Sequence, residues 1–310
     1  MSAYFWFRRD LRLHDNAALF HALKNNDEVQ CVFIFDRNIL DKLNDEKDAR
    51  VSFIYDCILD IKSELNAISS DLKVYYGNPE EIWPRIFKNE KLSSLYFNRD
   101  YEQYARDRDA RIKDHAKEYE IKVHDFKDHV IFEGTEVLKK DGLPYTVFTP
   151  YKRRWLERLK SRIEDGQYYY FKAYPSEDLL EVNLKSQEPE DIISLEQMGF
   201  KRTDIEIPEK EVKQKLIKDY KAHRNFPSER GTSRLGIHFR FGTISIRQKA
   251  AKAIKLSETF LSELIWRDFY SQILYHFPHV EHRSFREKYD YIEWRNNEEE
   301  FEAWSQGNTG

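Results

Sequence analysis

Ser2-Ala-Tyr-Phe-Trp-Phe-Arg-Arg-Asp-Leu-Arg-Leu-His-Asp-Asn16 runs from an apolar segment straight into a charged loop. Residues 3–7 read as a strand, and Asp15 is placed to cap a helix through Lys24. The same alternation continues along the chain. Residues 31–35, 72–76, 95–97 and 121–124 read as further strands. Between them, residues 48–68 carry apolar Val51, Ile54, Tyr55, Ile58, Ile61 and Leu65 near a period of 3.6, and residues 79–88 and 101–118 are also helical. Short apolar runs separated by amphipathic helices predict a doubly wound α/β domain with a parallel sheet. A dinucleotide fold of the usual kind would place Gly-x-Gly-x-x-Gly after the first strand, and this chain has Arg8-Arg9-Asp10-Leu11-Arg12-Leu13-His14-Asp15 there. That loop is expected to be a structural ion-pair cluster rather than a phosphate cradle.

The chain has 310 residues, enough for two domains, and 34% of them are charged. No segment reaches the length of a bilayer span, and the first apolar run is too short for a secretory signal, so a cytoplasmic protein is expected. Cys31 and Cys57 are the two cysteines; each lies in a periodic apolar segment and reads as a core residue. No metal-ligand spacing occurs, and no metal is expected. The net charge of −4 hides an asymmetry: between Ile217 and Asp290 there are 14 lysines and arginines against 8 aspartates and glutamates. That excess suits a polyanion.

Thr149 as cap and Pro150 at the first helical position predict a helix over residues 151–162. Residues 165–211 are polar, with Pro175, Pro189 and Pro208, and predict a partly ordered connection along the surface. From about Ile217 the pattern is helical. Ser245-Ile-Arg-Gln248 is a capping box, and Ser257 opens a helix that Pro278 must end. Before these helices, Gly231, Gly236 and Gly242 are expected to admit close approach to the backbone. Thr232, Ser233 and Arg234 offer hydroxyls, amides and a guanidinium suited to a diphosphate. In the last of these helices, Leu261, Leu264, Ile265 and Phe269 form one stripe, and Glu263, Trp266, Arg267 and Tyr270 another. Two readings are open for the second stripe, a core helix with an internal Glu263–Arg267 pair or the wall of a site.

Five motifs decide between them. Trp6-Phe-Arg-Arg-Asp-Leu-Arg-Leu-His-Asp-Asn16, Val147-Phe-Thr-Pro-Tyr-Lys152, Gly231-Thr-Ser-Arg-Leu235, Phe241-Gly-Thr-Ile-Ser245 and Glu263-Leu-Ile-Trp-Arg-Asp-Phe-Tyr270, in this order and spacing, resemble the DNA photolyase and cryptochrome family. The last motif is most similar to class I cyclobutane pyrimidine dimer photolyases. The resemblance implies an N-terminal Rossmann-like antenna domain followed by an all-α FAD-binding domain. It implies light-dependent repair of pyrimidine dimers by electron transfer from reduced FAD, with damaged DNA as partner. Tyr220, Thr232, Ser233, Arg234, Leu235, Gly236, Phe260, Glu263, Arg267 and Tyr270 match cofactor positions, Phe260 replacing a tryptophan common in relatives. Glu263 and Trp266 match residues that meet the extruded dimer, and Trp294 the outermost tryptophan of a photoreduction chain. A cryptochrome-like light sensor and an inactive DNA-binding fragment are the alternatives.

Two departures qualify the resemblance. Tyr104-Ala105 and Val280-Glu281 stand where folate-binding relatives have Asn-Glu and Cys-Lys, so the folate contacts are unmatched and the antenna chromophore is left open. Relatives also continue for roughly another third of their length beyond the position of Gly310. The expected division is therefore an antenna domain at 1–130, a connection with some helix at 131–212, and the first part of the helical domain at 213–310. Such a chain would hold part of a flavin pocket and expose apolar surface in its last helices. A monomer is expected at full length.

Overall fold

Side chains along the first strand point alternately to the two faces of a sheet, and both faces are covered. In the computed structural model, which describes residues 2–309, β1 (Ser2–Phe7) sends Ala3, Phe5 and Phe7 into one core and Tyr4 and Trp6 into another. It is flanked by β2 (Glu28–Asp36), β3 (Leu72–Gly77), β4 (Leu92–Asn98) and β5 (Lys122–Phe126), all parallel, in the order β3-β2-β1-β4-β5. The helices of this domain are α1 (Ala17–Asn25), the single turn α2 (Arg37–Leu40), α3 (Ala49–Asn66), α4 (Pro79–Asn89) and α5 (Gln103–Glu118). The chain order reverses at β1, as a doubly wound sheet requires. Cys31 and Cys57 are buried free thiols, as expected.

The cap of α1 is one residue later than predicted. Asn16 accepts from the Leu19 N–H at 3.2 Å, while Asp15 adopts a left-handed φ of 44° and turns its carboxylate toward the helical part of the chain. The predicted helix at 151–162 is also shifted: α6 spans Phe148–Lys160 with Val147 at its start and no side-chain cap. Burial of Tyr151, Trp155 and Leu159 on one face holds it in place of a cap.

The connection at 165–211 is partly ordered, as expected, but it does more than lie on the surface. A two-residue hairpin, β6 (Ile163–Glu164) and β7 (Gln167–Tyr168), leads to the short α7 (Leu180–Asn183). The chain then runs beside the start of β2, with Lys185 N–H donating to Val29 O at 2.9 Å. Leu195, Met198 and Phe200 join the core beneath α3.

The helical part comprises α8 (Gln214–His223), α9 (Gly236–Phe241), α10 (Ile246–Leu256), α11 (Glu258–His276) and α12 (Glu298–Ser305). Ser245 and Ser257 cap α10 and α11 by accepting from Gln248 and Phe260, as the sequence predicts. Leu261, Leu264, Ile265 and Phe269 are all buried, packed with Ile131, Phe132, Tyr151 and Trp155. At the centre of this core, Asp268 accepts from Phe132 N–H at 3.1 Å, Ile131 N–H at 3.2 Å and the Trp155 indole at 2.9 Å.

The charged loop is the socket between the two parts. Arg12 pairs with Asp128 at 2.7 Å and donates to Gly242 O at 2.9 Å; Arg247 pairs with Asp15 and with Asp128, each at 2.8 Å. Burial alone would raise the Asp128 carboxyl, but Arg12 and Arg247 hold it well below the usual range. Gly242, at φ 63°, brings α9 so close that an added Cβ would lie 2.6 Å from Asp10 Cα. Its backbone, like that of Gly231 against His223, closely approaches this chain's own backbone, while Gly236 has free space around it. The loop expected to be an ion-pair cluster is one.

Candidate functional site

The site is built on α11, α8 and the loop between α8 and α9. On α11 the half-exposed stripe presents Glu263 and Trp266 beside each other. Glu263 does not pair with Arg267. Its carboxylate accepts from Arg224, which follows the last residue of α8, and each side chain remains about one third exposed. The hydrogen bond to Glu263 holds the Arg224 guanidinium above its ordinary range. Arg224 also lies over the Tyr220 ring, 5.6 Å from its centroid. Arg267 points the other way, donating to His129 O and, at 3.2 Å, to Phe239 O. Burial depresses its guanidinium, because the neutral form loses less on leaving water. Of the two readings, the internal pair is not formed; the two charges are anchored separately, Glu263 to Arg224 and Arg267 to the carbonyls of His129 and Phe239.

Trp266 stacks on one of its aromatic neighbours. Phe148 of α6 lies parallel to it with centroids 3.5 Å apart, and Tyr270, 62% exposed, lies on a further side at 5.5 Å. The stack positions the indole, and it also covers one of its faces.

Three cavities receive the predicted residues, and no single one receives them all. Thr232, Ser233 and Arg234 line a cavity of about 650 Å³ with Lys213, Lys215, His223 and Arg230. Among the described residues, Lys213, Lys215, Arg230 and Arg234 form no salt bridge, although Glu206, Glu209 and Asp219 share the walls. Arg234 holds a left-handed φ of 53°, which turns the loop into α9. Glu263 lines a second cavity, of about 520 Å³, with Lys152, Lys221, Arg224, Asn225 and Glu258. Gly236, Arg267 and Tyr270 line a third, of about 400 Å³, with Arg9, Asp100, His129 and Phe239. His129 is driven down to about 3 by burial and by Arg9, so it stands there as a neutral ring.

Tyr220, Leu235 and Phe260 belong to the packed core instead. Phe260 is 2% exposed and meets the Tyr220 ring edge-on at 5.1 Å, so it does not front an open wall. Trp294 lies outside any helix, 71% exposed, among exposed Tyr291, Phe301 and Trp304. The apolar surface expected in the last helices is there.

Sequence reasoning missed Arg224, Phe148 and Asp268. Arg224 follows Tyr220 at helical spacing in a basic segment, which was a usable signal; the Phe148 stack and the Asp268 hub depend on tertiary contacts. A further cavity, of about 380 Å³, opens at the carboxyl ends of β1 and β2, lined by Trp6, Phe35, Asp36, Tyr104 and Arg108 among others. There the Tyr104 hydroxyl donates to Asp36 at 2.6 Å. Among the described residues no helix is long and apolar enough to cross a membrane, and no cluster suits a metal ion.

The chain is similar to known proteins along its whole length. A family model described as DNA photolyase matches residues 3–167, and one described as the FAD binding domain of DNA photolyase matches residues 260–310. A deoxyribodipyrimidine photo-lyase of Synechococcus is 31% identical over 99% of this chain and 67% of its own length; that of Halobacterium salinarum is 29% identical over 99% and 68%. Among solved structures, a Sulfolobus tokodaii photolyase described as carrying two FAD molecules is 31% identical, with TM-score 0.76 over the whole chain and 68% of its own. A Synechocystis cryptochrome, 18% identical, shares the fold at TM-score 0.81 over 100% of this chain and 68% of its own. The chain thus spans about two thirds of the length of these proteins.

Proposed function

Because the chain belongs to the DNA photolyase family, we propose that it serves light-dependent repair of cyclobutane pyrimidine dimers in DNA, with FAD as cofactor. The observation that carries this reading is the placing on α11 of a part-exposed carboxylate, Glu263, beside a part-exposed indole, Trp266, held by α8 and α6. A carboxylate accepts from the N–H groups at pyrimidine edges, and an indole replaces the stacking that an extruded base loses. A light sensor has no use for that pair.

The phosphate end of FAD fits the Thr232–Arg234 loop: hydroxyls, successive amides and cations free of carboxylate partners suit a diphosphate. The ring end is only partly walled by these residues, since Phe260 and Leu235 are turned into the core. We assign Thr232, Ser233 and Arg234 to the phosphates, Gly236, Arg267 and Tyr270 to the adjoining wall, and Tyr220, Leu235 and Phe260 to its support. Bound in reduced form, FAD would supply the light-driven electron that splits the cyclobutane ring. The chain's own part is to hold Glu263 beside the dimer, to stack Trp266 on it, and to keep Arg267 out of ion pairing. We also read the chain as an α/β domain at 1–130, a connection at 131–212 and helical domain from 213. The cavity at the ends of β1 and β2 suits an antenna chromophore whose identity is open.

The cofactor assignment is tested by adding FAD to the purified chain and desalting. Flavin absorbance that stays with the protein, and is lost on Arg234→Ala, supports the reading; flavin washed out of the unaltered chain removes its cofactor.

A further inference from the structure

The cavity beside Glu263 is lined by three cations, Lys152, Lys221 and Arg224, and two carboxylates, Glu258 and Glu263. Each carboxylate is held by a cation: Lys152 to Glu258 at 3.0 Å, and Arg224 to Glu263. Lys221 forms no salt bridge among the described residues. The cavity is thus poised with one cation in excess. The side chains of Arg224 and Glu263 are 31% and 34% exposed, so water screens their attraction and separating them costs little. Arg224 meets Glu263 through one guanidinium nitrogen and one carboxylate oxygen, and a phosphodiester offers the guanidinium two acceptor oxygens in their place.

We propose that the Arg224–Glu263 pair is a latch opened by a phosphodiester of the bound strand. The backbone phosphate enters beside Lys221 and takes the Arg224 guanidinium, and the carboxylate of Glu263 is released to the base edges. No bond is made or broken; one ion pair replaces another. Arg224 is then a positioning residue, and Glu263 becomes available only when nucleic acid occupies the cavity. The latch rests on the repair reading for its purpose, but it operates on undamaged strands as well.

That separation allows a test that needs neither light nor flavin. Binding of an octathymidylate to the purified chain is followed by fluorescence anisotropy at low salt. Breaking a part-exposed pair costs about two- to fivefold in an equilibrium, so Glu263→Gln is expected to tighten binding by about that factor. In an Arg224→Gln background the same change is expected to give less than half of that gain. Arg224→Lys, which keeps a cation at the end of α8, is expected to restore it. Unchanged affinity on Glu263→Gln would overturn the latch. So would an equal gain in both backgrounds, which marks simple repulsion between carboxylate and phosphate. Failure of the repair reading would appear elsewhere, as dimers that survive illumination while the latch behaves as described.

Discussion

Glu263 forms its salt bridge with Arg224, 39 positions earlier in the chain, rather than with Arg267 one turn further along its own helix. The half-exposed carboxylate therefore faces α8 and a cavity, while the guanidinium of Arg267 braces α11 against the segment at His129. A helix that could have satisfied itself internally instead divides its charges between two neighbours.

If Glu263 stabilises the opened dimer, Glu263→Gln lowers the number of dimers split per absorbed photon by a larger factor than any change it makes in dimer binding. An amide keeps hydrogen bonding and removes charge, so the two quantities separate. Quantum yield and dissociation constant measured on one preparation check this, and an unchanged yield rejects the role.

Trp266 has two duties, since it stacks on Phe148 as well as facing outward. Trp266→Phe is expected to leave the thermal midpoint within a few degrees, because a ring still fills the stack. Trp266→Ala weakens binding to dimer-containing DNA by roughly 1–3 kcal/mol, the worth of one base stacked on an aromatic side chain. Thermal melts read beside binding isotherms separate lost packing from lost stacking.

The socket between the two parts rests on Arg247, buried against Asp15 and Asp128. Arg247→Met leaves the buried Asp15 without a cation and Asp128 with Arg12 alone, and costs about 3–5 kcal/mol. Urea unfolding measures it; a loss under about 1 kcal/mol would mean that Arg12 alone holds the socket.

Asp268 contributes a pH dependence of the less common sign. Burial raises its carboxyl to about 6, so the native state holds that proton more tightly than the unfolded chain does. Its contribution is most favourable below about pH 4 and is lost as pH rises through 6. The stability of the unaltered chain relative to Asp268→Asn is therefore expected to fall by roughly 2–3 kcal/mol between pH 4 and pH 7. A difference that is constant with pH would show that the three N–H donors outweigh burial.

The doubly wound sheet was legible because its signal is local: five apolar runs with amphipathic helices between them place the strands within a few residues. The caps at Ser245 and Ser257 were legible for the same reason, being contained in four residues each. The cap of α1 was not, because Asp15 and Asn16 are both competent and Arg247, 232 positions away, claims the aspartate. Likewise the helix at Phe148 starts early because tertiary burial outweighs its missing cap. In the site, residue types could be read but not their partners. The Glu263–Arg267 spacing permits an i, i+4 pair, and only the packing of α8 against α11 supplies Arg224 as a competitor. Phe260 was expected beside the cofactor, and its contact with Tyr220 on the neighbouring helix is a tertiary one that no local pattern signals.

Light-dependent dimer repair is measured most directly as dimer content in ultraviolet-irradiated oligothymidylate after incubation with the chain and reduced FAD. Samples are held in the dark or under near-ultraviolet or blue light. The account predicts that dimers disappear only in the light, and more slowly with Glu263→Gln. Flavin and damaged DNA both bound, with dimers undiminished after illumination, would contradict it.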